Sequence, residues 1–576
     1  MTVTLILFLM ATASPADSTS KKPNIIFILA DDLGWADVSF HGSSQIPTPN
    51  LDALAADGVV LNAHYAQSVC APSRAALLSG LYPLRFGIQQ SMLYPSAPGG
   101  LPADITLLPQ HLGKLGYESH IVGKWHLGCS KQNQMPTRRG FSTHFGFLNH
   151  GQDYITHTVT YNGSCGYDFW LNEQPLTDAL GIYSMDLFLD RANSIITHHD
   201  TSKPLFLFLS MQAPHIGRAE RMFPAPEANI AKFAYIGNAN RTGYAATVDT
   251  LDEATGTVVE ALHGRSMLGE SVIVFCSDNG AERMGMGSNW PLRGTKKSLW
   301  EGGVRVPAFI WSPLLRDREE RVSEDIMHLV DWMPTLYQVA GGKVEDVGTI
   351  DGVSQWDALM SRDRPPVRQE LLHGFDPADG SGAYRSGRYK LVVIPSDGSW
   401  EDTRLEPVGD TPSDVDVSKL AAESKVAKVL AEFHAPSTAK AANLEWRRLT
   451  SVSCGSDHRS NFEAVPSPYL FDIFDDPCEL RNLAQERSHI VDIMMQKLAA
   501  ASDISAPSPK ESPDPEAYPL HNNCTWGPRR NSVCSSDLCM AKKNAASGPL
   551  CGTFPSLFLF SLCLAYVSQS FESEFK

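Results

Sequence analysis

The chain of 576 residues is short of positive charge: 48 lysines and arginines stand against 64 aspartates and glutamates, a formal net charge of -16. That deficit argues against a nucleic-acid partner, because phosphate backbones are bound by basic surface. It does not exclude a polyanionic sugar in a locally basic cleft, since net charge describes the surface and not a site. Long apolar runs are missing as well. The stretch FPSLFLFSLCLAYV (554–567) is too short for a comfortable transmembrane span. Small residues at 544–548 suit a lipid-anchor signal, yet the polar ending SQSFESEFK makes an appended tail the preferred reading over a membrane anchor. There is no internal repeat, and the tail cysteines lack the spacing of paired C-x-x-C knuckles, which disfavours a zinc site.

The segment TVTLILFLMATASPADS, an apolar stretch followed by small residues, reads as a secretory signal peptide over residues 1–16, although a basic n-region is missing. Sequons at Asn162, Asn240 and Asn523 agree with the secretory route. Eleven cysteines then meet an environment that permits disulfides. If Cys70 is set apart, the other ten allow up to five bridges, with Cys524, Cys534, Cys539 and Cys551 stapling a tail that has little apolar pattern of its own.

Continuous apolar runs end abruptly in polar residues: NIIFILA (24–30), PLFLFLSMQ (204–212), SVIVFC (271–276) and VPAFIW (306–311). Runs without alternation are what parallel strands buried on both faces look like. Between them, TPNLDALAADGVV, SRAALLSGLY, TLLPQHLGKLGY and YAATVDTLDEATGTVVEALHG carry apolar residues at helical spacing. The alternation predicts an α/β fold with a large, mostly parallel central sheet flanked by helices. After about residue 360 the pattern turns to AYRSGRYKLVVI, YLFDIF and the helical HIVDIMMQKLAAA, which predicts a smaller α+β domain with an antiparallel sheet over 361–502. Residues 503–548 are rich enough in Pro, Ser, Asp and Asn to be loop or disorder.

In open α/β sheets, ligands bind beyond the carboxyl ends of the strands. NIIFILA runs into Asp31 and Asp32, and SVIVFC runs through Ser277 into Asp278 and Asn279. Either pair alone reads as a turn or helix cap. Together they form an acidic pocket that is costly without a cation, and all-oxygen ligation selects Ca2+ or Mg2+ over zinc. In GYESHIVGKWHLG, Lys124 and His126 follow a strand-like HIV, and residues two apart on a strand share a face. His215 follows the strand at 205–212, and Lys296 lies in LRGTKKSLWEGGVR. Each of these has an ordinary structural reading, but with Arg74 they are able to surround a tetrahedral anion. On its residues alone Cys70 is a paired or buried thiol, or a thiolate nucleophile beside Arg74.

The stretch Cys70-Ala71-Pro72-Ser73-Arg74, followed by Leu78-Ser79-Gly80, resembles the modification motif of the sulfatase family. GYESHIVGKWHLG resembles that family's second signature, with Ser119 where threonine is commoner. PNIIFILADDLGWADVSFHGS, IPTPNLDALAADGV, PTRRGF, NWPLRGTKKSLWEGGVR and YLFDIFDDPCELRNLA resemble segments of the animal arylsulfatases, most closely the N-acetylgalactosamine-4-sulfatase type. The likeness runs over residues 22 to about 500. It implies an alkaline-phosphatase-like catalytic domain over 22–360, followed by the smaller domain and a Cys-containing tail over 503–576.

It further implies that Cys70 is oxidised to formylglycine by the formylglycine-generating enzyme before folding. One Ca2+ is implied on Asp31, Asp32, Asp278, Asn279 and position 70. Arg74, Lys124, His126, His215 and Lys296 are implied around the sulfate, with Lys124, His215 and Lys296 touching substrate. The implied reaction is hydrolysis of a sulfated carbohydrate or aryl sulfate through a covalent sulfate intermediate, in the lysosome or outside the cell. The loop HIGRAERMFP departs from the family after His215, which bears on contacts at the substrate rim. Two other functions use the same residues: a phosphate or phosphonate hydrolase on this fold, and an inactive glycan-binding relative.

Overall fold

A computed structural model describes residues 21–89, 93–217, 222–315, 322–361, 364–395, 398, 400, 403–433, 444–454, 467–507, 513–529 and 534. The segment 1–16 read as a signal peptide, the apolar stretch at 554–567, Cys539 and Cys551 lie outside them.

The central sheet has ten strands: β1 (Asn24–Ala30), β2 (Val59–Leu61), β3 (Glu118–Lys124), β4 (Thr143–Phe147), β5 (Trp170–Leu171), β6 (Gln174–Pro175), β7 (Leu205–Ser210), β8 (Ser271–Ser277), β9 (Ala308–Trp311) and β10 (Val322–Ser323). Their order across the sheet is β10-β2-β9-β8-β1-β7-β3-β4-β5-β6. The block β8-β1-β7-β3-β4 is parallel throughout. β9 runs antiparallel to β8, although its apolar run reads like the others. It too is buried on both faces, so burial sets its composition and leaves its direction unwritten.

β1 shows why the runs do not alternate. Ile26, Ile28 and Ala30 point into one apolar layer, and Ile25, Phe27 and Leu29 into the other. Each of the isoleucine, leucine and phenylalanine side chains contributes about 1.5–3 kcal/mol by leaving water. The layers are supplied by helices that include α1 (Pro49–Asp57), α2 (Cys70–Ser79), α3 (Ser184–His198), α4 (Ala239–Gly264) and α5 (Leu329–Val339). α2 carries Pro72 in its first turn, where no helical hydrogen bond is lost. It stops at Gly80, whose left-handed φ of 68° favours glycine. Cys70 is thereby fixed at the helix start.

The smaller sheet is fully antiparallel and pairs β11 (Glu370–Phe375), β12 (Gly382–Ser386), β13 (Tyr389–Val393) and β14 (Tyr469–Asp472). One face carries Leu372, Leu391 and Leu470 against Met494 and Leu498 of α6 (Ser488–Ala499). The other packs Leu371, Ala383, Val392 and Phe471 against Tyr65, Trp300 and Val304 of the larger unit. At this junction the fully buried Lys390 ammonium lies 2.8 Å from Glu301 and 2.9 Å from Glu479.

Residues 513–529 depart from the loop-or-disorder expectation. They form a strap with short 3-10 turns that lies on the hairpin Thr158–Tyr161/Ser164–Tyr167. Tyr167 N–H donates to the Cys524 carbonyl and Trp526 N–H to the Tyr167 carbonyl, both at 2.9 Å. Trp526 is fully buried and its indole donates to the Val159 carbonyl at 2.8 Å. Cys524 pairs with Cys534, and Cys454 with Cys478. Cys129 and Cys276 are buried thiols, so the five-bridge maximum is not reached.

Candidate active site

The site lies where the parallel strands end. β1 delivers Asp31 and Asp32, and the paired end of β8 delivers Asp278 and Asn279, since Ala30 and Ser277 are register partners. Backbone bonds lock the segments: Asp278 N–H donates to the Ala30 carbonyl at 3.0 Å, and Asp31 N–H to the Ala213 carbonyl at 3.1 Å. Asp32 has a left-handed φ of 65°, a sparsely populated conformation for a residue with a Cβ. Its N–H donates to Asp278 Oδ1 at 3.2 Å.

The start of α2 faces this acidic group. Cys70 Sγ is 3.4 Å from Asp31 Oδ1 and 3.8 Å from Asp32 Oδ1. One ligand atom each from Asp31, Asp32, Cys70 and Asp278 falls within 4.8 Å of the others, all buried. Burial, reinforced by Asp278, pushes the Cys70 thiol well up. A thiolate nucleophile is therefore disfavoured here.

One turn further along α2, Arg74 is also buried. Its Nε and Nη2 donate to Asp278 Oδ2 at 3.1 and 2.7 Å, and Nη1 donates to the Lys124 carbonyl at 3.3 Å and to Ser210 Oγ. Most of its five donors are thus committed to protein groups. Lys124 Nζ lies 2.7 Å from Asp31 Oδ2, and Lys296 Nζ lies 2.7 Å from Asp32. Burial alone would raise the Asp32 carboxyl, but Lys296, His215 and Lys124 outweigh it and hold that group well down. Asp278 goes the other way, pushed up by burial and by Asp31.

His215 reaches the same place from beyond β7. Its Nδ1 meets the Ile216 carbonyl at 2.9 Å, an acceptor only, so Nδ1 carries the hydrogen. Nε2 therefore faces Asp32 Oδ2, 3.7 Å away. Burial pushes the His215 pKa down. Gly151 makes room for the ring, since a Cβ there would stand 2.8 Å from Cε1.

The structure thus gathers Asp31, Asp32, Cys70, Arg74, Lys124, His215, Asp278, Asn279 and Lys296. It corrects the strand argument for His126: β3 ends at Lys124, and His126 sits past it with a φ of 56°. The same-face rule does not apply, and the His126 ring lies beside that of His150, with centroids 6.1 Å apart. Asn162, Asn240 and Asn523 are all exposed. Sequence reasoning missed Ser210 and Gly151. Ser210 had a signal, the polar end of an otherwise apolar strand, whereas Gly151 had none.

A hard cation fits this group on two grounds. Asn279 Nδ2 donates to Asp32 at 2.7 Å, but its Oδ1 is buried with no hydrogen-bond partner. Charge gives the second ground. Asp31, Asp32 and Asp278 balance Arg74, Lys124 and Lys296, so an anionic substrate would leave buried negative charge that a divalent cation offsets.

Residues 23–342 match the family model described as Sulfatase. The chain is 35% identical to arylsulfatase J of Mus musculus over 88% of its own length and 80% of that protein. It is 31% identical to N-acetylgalactosamine-6-sulfatase of Homo sapiens, over 68% of this chain and 75% of the relative. Among solved structures, Ps i-CgsB in complex with k-i-k-neocarrahexaose aligns with a TM-score of 0.58 and 29% identity, covering 72% of this chain and 92% of that one. The chain belongs to the sulfatase family, whose members hydrolyse sulfate esters.

Proposed function

We propose that the protein hydrolyses sulfate esters of N-acetylgalactosamine in dermatan or chondroitin sulfate at the 4-position, using a formylglycine made from Cys70 and one Ca2+. The observation that carries this reading is the buried meeting of Cys70 with Asp31, Asp32 and Asp278 beside Lys124 and Lys296. Asp31, Asp32, Asp278, Asn279 and position 70 would hold the Ca2+, which would supply the charge that makes the hydrated aldehyde's hydroxyl acidic enough to serve as nucleophile toward sulfur.

The rest falls to the chain's own side chains. Each lysine ammonium has three donors, so Lys124 and Lys296 retain N–H groups for sulfate oxygens after meeting their carboxylates. Arg74 acts through Asp278, whose carboxylate it holds at 2.7 Å in place to accept the hydroxyl proton. Lys296 gives a proton to the leaving alcohol, and the His215 ring stands beside the same carboxylate with Nε2 free to accept a hydrogen bond from that alcohol. His126 is assigned the last proton, whose removal expels sulfate and restores the aldehyde.

Cys70 is only 1% exposed in the fold, which supports its modification on the unfolded chain. The same reading places the protein in the secretory route, lysosomal or secreted, with glycans on Asn162, Asn240 and Asn523. Among the described residues no helix is long and apolar enough to cross a membrane.

The test is sulfate release from a 4-sulfated N-acetylgalactosamine disaccharide, with 6-sulfated and phosphate-ester controls, after mass spectrometry of position 70. Release from the 4-sulfated sugar, abolished by Cys70→Ala, is expected. Preference for the 6-sulfated sugar would overturn the position, and cleavage of only the phosphate ester would overturn the reaction.

A further inference from the structure

A cavity of about 380 Å3 adjoins the start of α2. Val69 and Lys297, chain neighbours of Cys70 and Lys296, lie in its wall, and Lys297 N–H donates to the Ser68 carbonyl at 2.8 Å. Its volume sits at the low end of ligand cavities, roughly 300–1,000 Å3. Its chemistry differs from that of the acidic pocket.

Tyr94 and Trp400 both line the cavity. Tyr94 is 46% exposed, yet its ring is held by stacking on Tyr161, with centroids 4.8 Å apart and planes 20° from parallel. Ser381 Oγ and Gln89 Oε1, in the same wall, are buried without a hydrogen-bond partner. Buried polar atoms without partners are rare in native structures and call for a reason. Sugar hydroxyls would satisfy them while the apolar face of the ring rests on an aromatic side chain. The sugar beside N-acetylgalactosamine in chondroitin is a uronic acid, and the Lys297 ammonium in the wall, paired with Glu282 at 3.1 Å, keeps further N–H donors for its carboxylate.

We propose that this cavity is a subsite for the unsulfated sugar next to the sulfated one, with Tyr94 as its platform. The protein is then a hydrolase of sulfated chains and discriminates against single sulfated sugars. The inference rests on the sulfate-ester reading of the neighbouring site, so one arm of its test does not use that chemistry.

In that arm, desulfated chondroitin tetrasaccharide is titrated into the Cys70→Ala protein and followed by saturation-transfer NMR. Contact signals from the sugar are expected, and Tyr94→Ala should abolish them. In the second arm, kcat/KM for a sulfated tetrasaccharide is divided by kcat/KM for a small aryl sulfate. Tyr94→Ala and Trp400→Ala should each lower that ratio by about 3- to 10-fold, the size of one aromatic contact, while Tyr94→Phe retains it. Tyr94 is exposed enough for truncation to spare the fold, which circular dichroism checks. A tetrasaccharide that does not bind, or a ratio unmoved by both alanine variants, overturns the subsite. A wild-type protein that binds the chain but cleaves no sulfate ester overturns the catalytic reading instead.

Discussion

Lys390→Met should destabilise the protein by about 3–5 kcal/mol at pH 8, the usual cost of removing one partner from a buried ion pair. Methionine keeps the length and most of the packing of the lysine stem, so the loss isolates the charge. The ammonium is shared by two fully buried carboxylates, Glu301 at 2.8 Å and Glu479 at 2.9 Å. Glu479 also accepts the Glu301 N–H at 2.7 Å, and Glu301 accepts the Tyr65 hydroxyl at 2.9 Å. Arg305 stands 3.7 Å from Glu301, Arg385 bonds Tyr65, and Arg293 donates to the Glu479 carbonyl, so the three arginines keep the cluster from becoming wholly anionic.

The sign with pH follows from the two carboxyls. Burial, partly opposed by Lys390, pushes Glu479 up to about 7 from an ordinary 4.5. Its contribution is fully present below about pH 4.5 and is lost as pH rises through about 7, roughly 3 kcal/mol across that window. Glu301 has the opposite sign: burial would raise it, but Lys390 and Arg305 outweigh burial and hold it down. Its contribution is lost only as pH falls below 4.5. Without Lys390 both carboxyls rise, so Lys390→Met loses more at pH 8 than at pH 5, where protonation relieves the pair. Urea unfolding at both pH values measures this, and adding Glu479→Gln should restore part of the loss at pH 8. A variant within about 0.5 kcal/mol of wild type at pH 8, or one equally weakened at both pH values, would refute the reasoning.

Three further outcomes are expected. Gly151→Ala places a methyl group 2.8 Å from His215 Cε1; it should lower kcat by about 10- to 100-fold through misplacement of the ring, and an unchanged kcat would show that His215 is not needed where it stands. Trp526→Ala should cost about 3–5 kcal/mol, read as a lower Tm, whereas an unmoved Tm would mean that the strap does not hold the fold. EGTA should lower Tm and stop sulfate release, with Ca2+ restoring both; bound at 100 times its Kd, the ion adds about 2.7 kcal/mol. A Tm indifferent to EGTA and to added Ca2+ counts against a resident cation.

Local chemistry decided what was readable in advance. β1 and β8 are legible because burial on both faces demands an unbroken apolar run, and Asp31 and Asp278 because charge interrupts it. The role proposed for Cys70 rests on a linear motif that would act on an unfolded chain and so must be written in order. The direction of β9 was not legible, since antiparallel and parallel strands bury the same residues. Gly151 and Ser210 owe their roles to neighbours that only folding supplies, as does the strap, whose composition reads as loop until Trp526 finds Val159.

That last contact spans 367 residues of chain. At roughly 5–20 residues per second of synthesis, the hairpin that ends at Tyr167 waits about 20–70 s for the segment that covers it. Tyr161, on which Tyr94 stacks, belongs to that hairpin, so the rim of the cavity is completed late, after the sheet and the pocket around Cys70 have their strands. A polypeptide halted after the last strand of the central sheet ends at Ser323 and before residue 513 could gather the groups around Cys70 and still lack a finished cavity rim. Ribosome-bound fragments of graded length, probed by proteolysis between residues 158 and 167, would show the interval directly as a window of cleavage that closes when the strap emerges.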